Sequence, residues 1–374
     1  MFQYFPEEDR RAYVPRLYRV DRVIQDERRR ARPAEPETVQ SPLAMDWLAL
    51  KCPALQVLLD HPGVDGSRVT AFSTLFHLSQ LAAMQTWFVD GTFKTRPAIY
   101  RNKASQVYTI HGFVGGPNGM KQFPMVFVLM TNRRTEDYVH LFEGVKRAMQ
   151  AAGLPCNPES FMLDFEAAVF AAIRVCFPAA KSTGCGFHWA KCIRAKWRDL
   201  ALHRSARETA ALRSVYVRSQ CLRFLAENWI LVTFDKIVQE AARDFHAAHA
   251  VHRFLHYMNT TWIRTEVFPP SIWCQYGLDL RTNNDVEAWH AGFNRTVGPR
   301  PALYTFIAKM YVQLGNSRLQ IENGDLNRRE SLVTQENNAL FYTLWQQLER
   351  GEIEMEQLVA GIAARYNYEL GAVI

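Results

Sequence analysis

The chain has 374 residues and a formal charge of +7, from 44 Lys and Arg against 37 Asp and Glu. Its 48% hydrophobic and 22% charged residues are ordinary globular composition, which excludes a wholly disordered chain and a collagen-like one. No apolar run reaches the ~18 residues of a membrane span, and the opening MFQYFPEEDRRAYVPR lacks the charged-then-apolar pattern of a secretory signal.

Residues 1–40 carry nine arginines, eight acids and four prolines with few aliphatics, and read as a flexible arginine-rich arm. The cluster ERRRARP (27–33) fits a nuclear import signal. Residues 41–85 read as a helical lead-in. Leu48, Leu50, Leu55, Leu58 and Leu59 come first, then Phe72, Leu75, Leu78 and Leu81 recur every three residues, with HPGVDGS (61–67) as the turn between them.

The period then changes. TWFVDGTF (86–93), QVYTIHGFV (106–114) and KQFPMVFVLM (121–130) predict three strands, the last two joined through the turn GGPNG (115–119). EDYVHLFEGVKRAMQAAG (136–153) predicts an amphipathic helix, SFMLDF (160–165) a buried strand, EAAVFAAIRVCFP (166–178) a helix and KSTGCGFHW (181–189) a fifth strand. The order β-β-β-α-β-α-β describes an α/β mixed sheet of RNase H-like arrangement over 86–189. Residues 190–275 show almost only helical periodicity, too long for a loop, and predict an all-helical insertion. A helix with Asn283 as N-cap and Gly298-Pro299 as its stop completes the core over 276–298, and 299–374 reads as a helical flank.

Two carboxylates stand where carboxylates are costly. Asp90 lies inside the apolar strand Trp87-Phe88-Val89-Asp90-Gly91, and Asp164 ends the apolar strand Phe161-Met162-Leu163. Singly, each reads as a strand-end cap. Together they belong to neighbouring strands of the predicted sheet and meet at one edge, where ligands bind. Hard oxygen donors without a full protein cage suit Mg2+ or Mn2+. A third acid then comes from a packed helix: Glu287 in TNNDVEAWH, near the positive end of the helix dipole, with Asp285 as the rival ligand.

Charge is uneven along the chain. From Lys181 to Arg223 there are ten Lys and Arg against two acids, an excess larger than that of the whole chain. It reads either as a solvated helix face or as a surface that contacts phosphates, with Lys191, Arg194, Lys196 and Arg198, joined by Lys94, as the candidates. Seven scattered cysteines without a CxxC pair read as free thiols in a reducing compartment. Cys185, His188 and Cys192 have ligand-like spacing but no convincing fourth partner for zinc, so Cys185 and His188 read better as a strand-end pair beside the acids. His246, His249, His252 and His256 drift around a helix and read as a polar face, while Trp197, Trp229, Trp262 and Trp273 read mostly as core.

The motifs TWFVDGTFKTRP, QVYTIHGF, DFEAA, GCGFH and TNNDVEAWH occur here in the order seen in the Mutator-like element (MULE) transposase family, which this chain resembles from about Arg68 to Asn294. The resemblance implies an RNase H-like core whose DDE triad falls on Asp90, Asp164 and Glu287, with a helical insertion between the second Asp and the Glu. It also implies the family's Cys-x-x-His motif at Cys185 and His188. The implied activity is metal-dependent cleavage and strand transfer of DNA with two Mg2+ or Mn2+ ions. The implied partners are the element's terminal inverted repeats and target DNA, and the protein is expected to act in the nucleus as a homodimer or higher multimer. The zinc modules that often flank this core in the family have no matching cysteine pattern here. The alternative is therefore a truncated or domesticated descendant that binds DNA without cutting it.

Overall fold

The computed structural model describes residues 32–373 except 118, 206–208, 247–248, 329 and 331, with side chains as far as residue 365. The arm assigned to 1–40, with most of ERRRARP, lies largely outside the described residues. A short helix α1 (Met45–Lys51) leads into a hairpin, β1 (Leu55–Pro62) and β2 (Arg68–Thr74), and α2 (Leu75–Ala82) follows at once. Next come β3 (Thr86–Thr92), β4 (Gln106–Gly116), β5 (Gly119–Met130), α3 (Thr135–Ala151), β6 (Ser160–Leu163), α4 (Ala167–Cys176) and β7 (Lys181–Gly184).

These strands form one seven-stranded mixed sheet in the order β1-β2-β5-β4-β3-β6-β7. β1 to β5 pair antiparallel wherever they meet, while β3–β6 and β6–β7 are parallel. Both faces are covered, and side-chain alternation sorts the residues between them. Trp87 and Val89 of β3, with Phe161 and Leu163 of β6, face a core shared with Leu78, Tyr138, Phe142 and Ile173 from α2, α3 and α4. On the opposite face Phe72, Val107, Phe127 and Leu129 pack on Phe293 and Val297 of α11 (Asn284–Val297) and on Tyr304, Ile307 and Met310 of α12 (Leu303–Glu322).

Residues 55–74, expected to be helical, form the β1–β2 hairpin instead. Only the turn was legible: Gly63 N–H bonds Ser67 O at 2.7 Å. Every residue of β2 is buried, because it lies between β1 and β5 with both faces covered. Such a strand has no polar–apolar alternation to betray it, and the leucine spacing of three is fortuitous. The fifth expected strand is also shorter than 181–189. It stops at Gly184, and Cys185 caps a helix, α5 (Gly186–Asp199).

Beyond α5 the chain is helical: α6 (Leu202–Ser205), α7 (Ala210–Cys221), α8 (Glu227–Asp244), α9 (Ala250–Met258), a π turn (Asn259–Ile263) and α10 (Pro270–Trp273). Two late helices, α13 (Leu332–Glu349) and α14 (Met355–Val373), join them. Trp189, Ile193 and Trp197 of α5, Phe234 of α8, Phe254 of α9 and Trp273 of α10 share one core with Phe341, Trp345, Leu358 and Ile362. Trp197, Trp262 and Trp273 are core, as expected, whereas Trp229 is 42% exposed.

Candidate active site

The parallel pairing of β3 with β6 sets the first two acids side by side. Phe88 faces Met162 across the ladder, so two residues further on Asp90 and Asp164 stand level and on the same face. That face holds a small apolar cluster of Phe88, Met162, Cys185 and Val286, which seats the start of α11 against it. Asn283 fixes the join. Fully buried, it caps α11 by position, yet its side chain bonds no helix amide. Its Nδ2 donates to Val89 O at 3.1 Å, and its backbone N–H donates to Cys185 Sγ at 3.1 Å.

Of the two acids at the start of α11, Asp285 turns away into a two-pronged pair with Arg328, at 2.8 and 3.0 Å. Glu287 turns towards Asp164. Between them stands His188, on the first turn of α5 and not at a strand end. Its Nδ1 lies 2.6 Å from Asp164 Oδ1 and its Nε2 3.0 Å from Glu287 Oε1. The shorter contact is an ion pair and not an aligned hydrogen bond, for Asp164 Oδ1 is buried without one. Asp90 sits deeper: its Oδ1 accepts the Gly91 N–H at 2.7 Å, and its Oδ2 lies 3.0 Å from His290 Nδ1.

Electrostatics follow this crowding. Burial would push the His188 imidazole down, but the Asp164 carboxylate and then Cys185 hold it up at about 11. Asp164 is raised above the usual carboxylate range, first by burial and then by the neighbouring Asp90, against the pull of His188. Glu287 is raised by burial too, with Asp90 and Asp164 adding and His188 opposing. Neighbouring carboxylates resist ionisation unless a cation stands between them, and the His188 imidazole stands between Asp164 and Glu287. The same oxygens suit a hard divalent metal, which prefers carboxylate donors.

Among the described residues, Asp164, Cys185 and His188 also place one ligand atom each within 4.8 Å of one another. Cys192, the third member of the zinc spacing, is outside that group. The histidines of the insertion form no such group among the described residues. His249 instead accepts the Val251 N–H, and His252 Nε2 lies 3.3 Å from Phe245 O.

Behind Asp90 lies a buried polar chain that sequence reasoning missed. His290 Nε2 is 2.9 Å from Thr109 Oγ1, which is 3.0 Å from His111 Nε2. Burial holds His111 well below the ordinary imidazole range and so neutral. The signals were present: His290 stands three residues after Glu287 on one helix face, and Thr109 and His111 are the polar pair, two apart, in the apolar run QVYTIHGF.

The basic residues divide. Lys191, Arg194 and Arg198 are exposed on α5 at spacings of three and four, which puts them on one stripe starting one turn beyond His188. Lys191 lies close enough to Glu287 to draw its carboxyl down. Lys196 falls off that stripe, with Nζ 5.3 Å above the Tyr257 ring. Lys94 is exposed just past the end of β3. Part of the charge run never reaches the surface. Arg218 pairs with Glu240, and Arg223 is buried with its guanidinium 4.6 Å from the Phe224 ring.

No helix among the described residues is long and apolar enough to cross a membrane. No curated protein matches the chain. Residues 86–192, which run from the first residue of β3 through both aspartates to the middle of α5, match the family model of the MULE transposase domain, and this supports placing the chain in the MULE transposase family.

Proposed function

We propose that this chain is a DDE-type transposase that cuts DNA at the ends of its element and joins those ends to target DNA, on an RNase H-like core. The observation that carries the reading is the meeting of three acids from two parallel strands and a packed helix: Asp90 stands level with Asp164 across the β3–β6 pairing, and His188 bridges Asp164 to Glu287. A module that only bound DNA would gain nothing from three mutually repelling carboxylates. The strand order β5-β4-β3-β6-β7, followed by a helical insertion and a helix bearing the third acid, supports the core assignment.

The three carboxylates would hold two Mg2+ or Mn2+ ions. When bound, such ions activate the attacking oxygen and stabilise the leaving one in an in-line displacement at phosphorus. Asp90 is the deepest ligand, oriented by the Gly91 N–H and His290. His188 holds Asp164 and Glu287 together, and a bound divalent ion would supply positive charge in its place. Lys191, Arg194 and Arg198, with Lys94, provide phosphate contacts that position the strand without reading its sequence. The first displacement adds water across a phosphodiester at the element's end and leaves a 3′-hydroxyl and a 5′-phosphate; in the second that hydroxyl attacks a target phosphodiester, whose P–O3′ bond breaks to release a target 3′-hydroxyl as the new bond forms. Action in the nucleus, as a homodimer or higher multimer, belongs to the same proposal. It rests on the resemblance and on the arginine cluster at 27–33.

The test is incubation of purified protein with Mg2+ or Mn2+ and a plasmid carrying the terminal inverted repeats that flank the chain's own coding sequence. Nicked or joined products are expected. Alanine at Asp90, Asp164 or Glu287 should lower cutting by more than ~100-fold, the upper end of the cost of losing a residue that merely supports a metal ligand, with DNA binding retained. Binding without cutting in the wild type would favour the domesticated regulator.

A further inference from the structure

A cavity of about 300 Å3 lies against the same two chain segments that build the carboxylate cluster. Gly186 and Phe187 line it immediately before His188, and Thr282 and Asn284 line it just ahead of Glu287. The segments are tied together there, for Gly186 N–H donates to Arg281 O at 3.0 Å. A Cβ at Gly186 would displace the Gln275 side-chain amide, whose Nε2 donates to Arg281 O at 2.8 Å. Whatever fills the cavity is therefore held by the residues that carry His188 and Glu287.

Its walls combine three chemistries. Phe187, 41% exposed, provides an open ring face, while the buried Phe224 and Phe341 pack on each other behind Arg223 and Arg281. Arg194, Arg223 and Arg281 provide positive charge, and none of the described lining residues is acidic. Gln220 provides a fixed acceptor. It is only 4% exposed, its Nε2 points to Ala190 O at 3.4 Å and Tyr216 Oη at 3.3 Å, and its Oε1 has no hydrogen-bond partner. A buried acceptor of this kind calls for an N–H donor. A metal cation is excluded by the guanidinium groups, and a wholly apolar ligand leaves Gln220 unsatisfied. An aromatic, N–H-bearing ring attached to a phosphate satisfies all three.

Resting on the function proposed above, we infer that this cavity receives one unstacked base of the DNA strand being cut. The base leaves the duplex beside the carboxylates, lies against the Phe187 ring, and donates an N–H to Gln220 Oε1. Arg194, on the basic stripe of α5, meets the phosphate at the mouth. Enzymes that extract a base read it by these means, stacking and hydrogen bonds to its edge, and stacking on aromatic rings serves every base. Holding one nucleotide in this way would fix the phosphate next to it against the acids.

The experiment uses duplexes of the flanking terminal inverted repeat, each with a single mismatch walked through the positions around the cut, titrated with full-length protein in EDTA. Unpairing costs least where the pair is already broken. A mismatch at one position should therefore tighten wild-type binding by about tenfold, and most of that gain should vanish in Phe187→Ala and Gln220→Leu. Phe187→Ala alters an exposed ring, so it remains informative if Gln220→Leu fails to fold. A flat scan with protein that still binds and, given Mg2+, still cuts overturns the base pocket and leaves the proposed function standing. A flat scan in which free deoxynucleoside monophosphate protects the wild type from heat, but not Phe187→Ala, overturns it in favour of a free nucleotide. Protein that neither binds nor cuts the repeats overturns the proposed function itself, and this assignment with it.

Discussion

His188 carries the charge balance of the site. Its imidazole is held near 11 by Asp164 and Cys185 against a cost of burial. A group whose folded value is raised lends stability that is complete below its unfolded value, ~6.5, and disappears as pH rises through the folded value. Between pH 7 and 8.5 the unfolded chain has already lost this proton and the folded chain has not. Metal-free protein should therefore lose up to about 1.4 kcal/mol per pH unit across that window. His188→Gln should show a flatter slope, read by urea unfolding at each pH; equal slopes would mean that the imidazole is neutral. Bound Mg2+ should flatten the wild type as well, because it replaces the same charge.

His290 acts one step further back. His290 Nδ1 faces Asp90 Oδ2, and the Thr109 hydroxyl links His290 Nε2 to His111 Nε2 while also donating to Asp90 O at 3.3 Å. Removing such a supporting partner typically costs ~10–100-fold in metal affinity or activity. His290→Phe should lower cutting within that range and raise the Mg2+ concentration needed for half-maximal activity. An unchanged metal requirement would make its role structural only.

At the scale of elements, α5 and α11 do the positioning. Each begins at the sheet edge, and the Asn283 bridge to Cys185 and Val89 docks the one to the other. One face of α5 is buried through Trp189, Ile193 and Trp197, and the opposite face carries Lys191, Arg194 and Arg198 outward. Each phosphate contact adds about one unit to the slope of log affinity against log salt. Replacing any one of the three by Ala should weaken binding similarly on all DNA sequences and lower that slope by about one, as measured by fluorescence anisotropy. Lys196→Ala, at a position turned onto Tyr257, should change it less.

Among the described residues, the buried apolar clusters divide between the sheet with its covering helices and the helical lobe. The lobe is not made by residues 190–275 alone. α13 and α14 complete it, with Phe341 and Trp345 packed among its buried residues and Trp345 Nε1 donating to Phe224 O at 2.9 Å. Trp345→Ala should cost ~3–5 kcal/mol, as large-to-small changes in a core do. Hydrogen exchange should rise in α7 to α10 well before it rises in β3 to β6. A uniform rise would mean that the sheet and the lobe unfold as one.

Much of this was written in the chain itself. The three strands 86–92, 106–116 and 119–130 alternate or run apolar between strong turn signals, and the two costly aspartates mark themselves by their apolar neighbours. Local chemistry also stops α11, where Gly298 has φ of 81°. What the chain could not show by itself is whatever depends on a partner far away in sequence. β2 hides as a strand because both its faces are covered. α5 begins at Gly186 and not later because the start of α11 docks there and takes up Cys185 Sγ. Glu287, and not Asp285, reaches the aspartates because Arg328, forty-three residues beyond Asp285, claims the rival. Propensity and period act over a few residues, so they determined which elements form. Burial, ion pairing and register act between elements, and only the folded chain could decide which side chains meet.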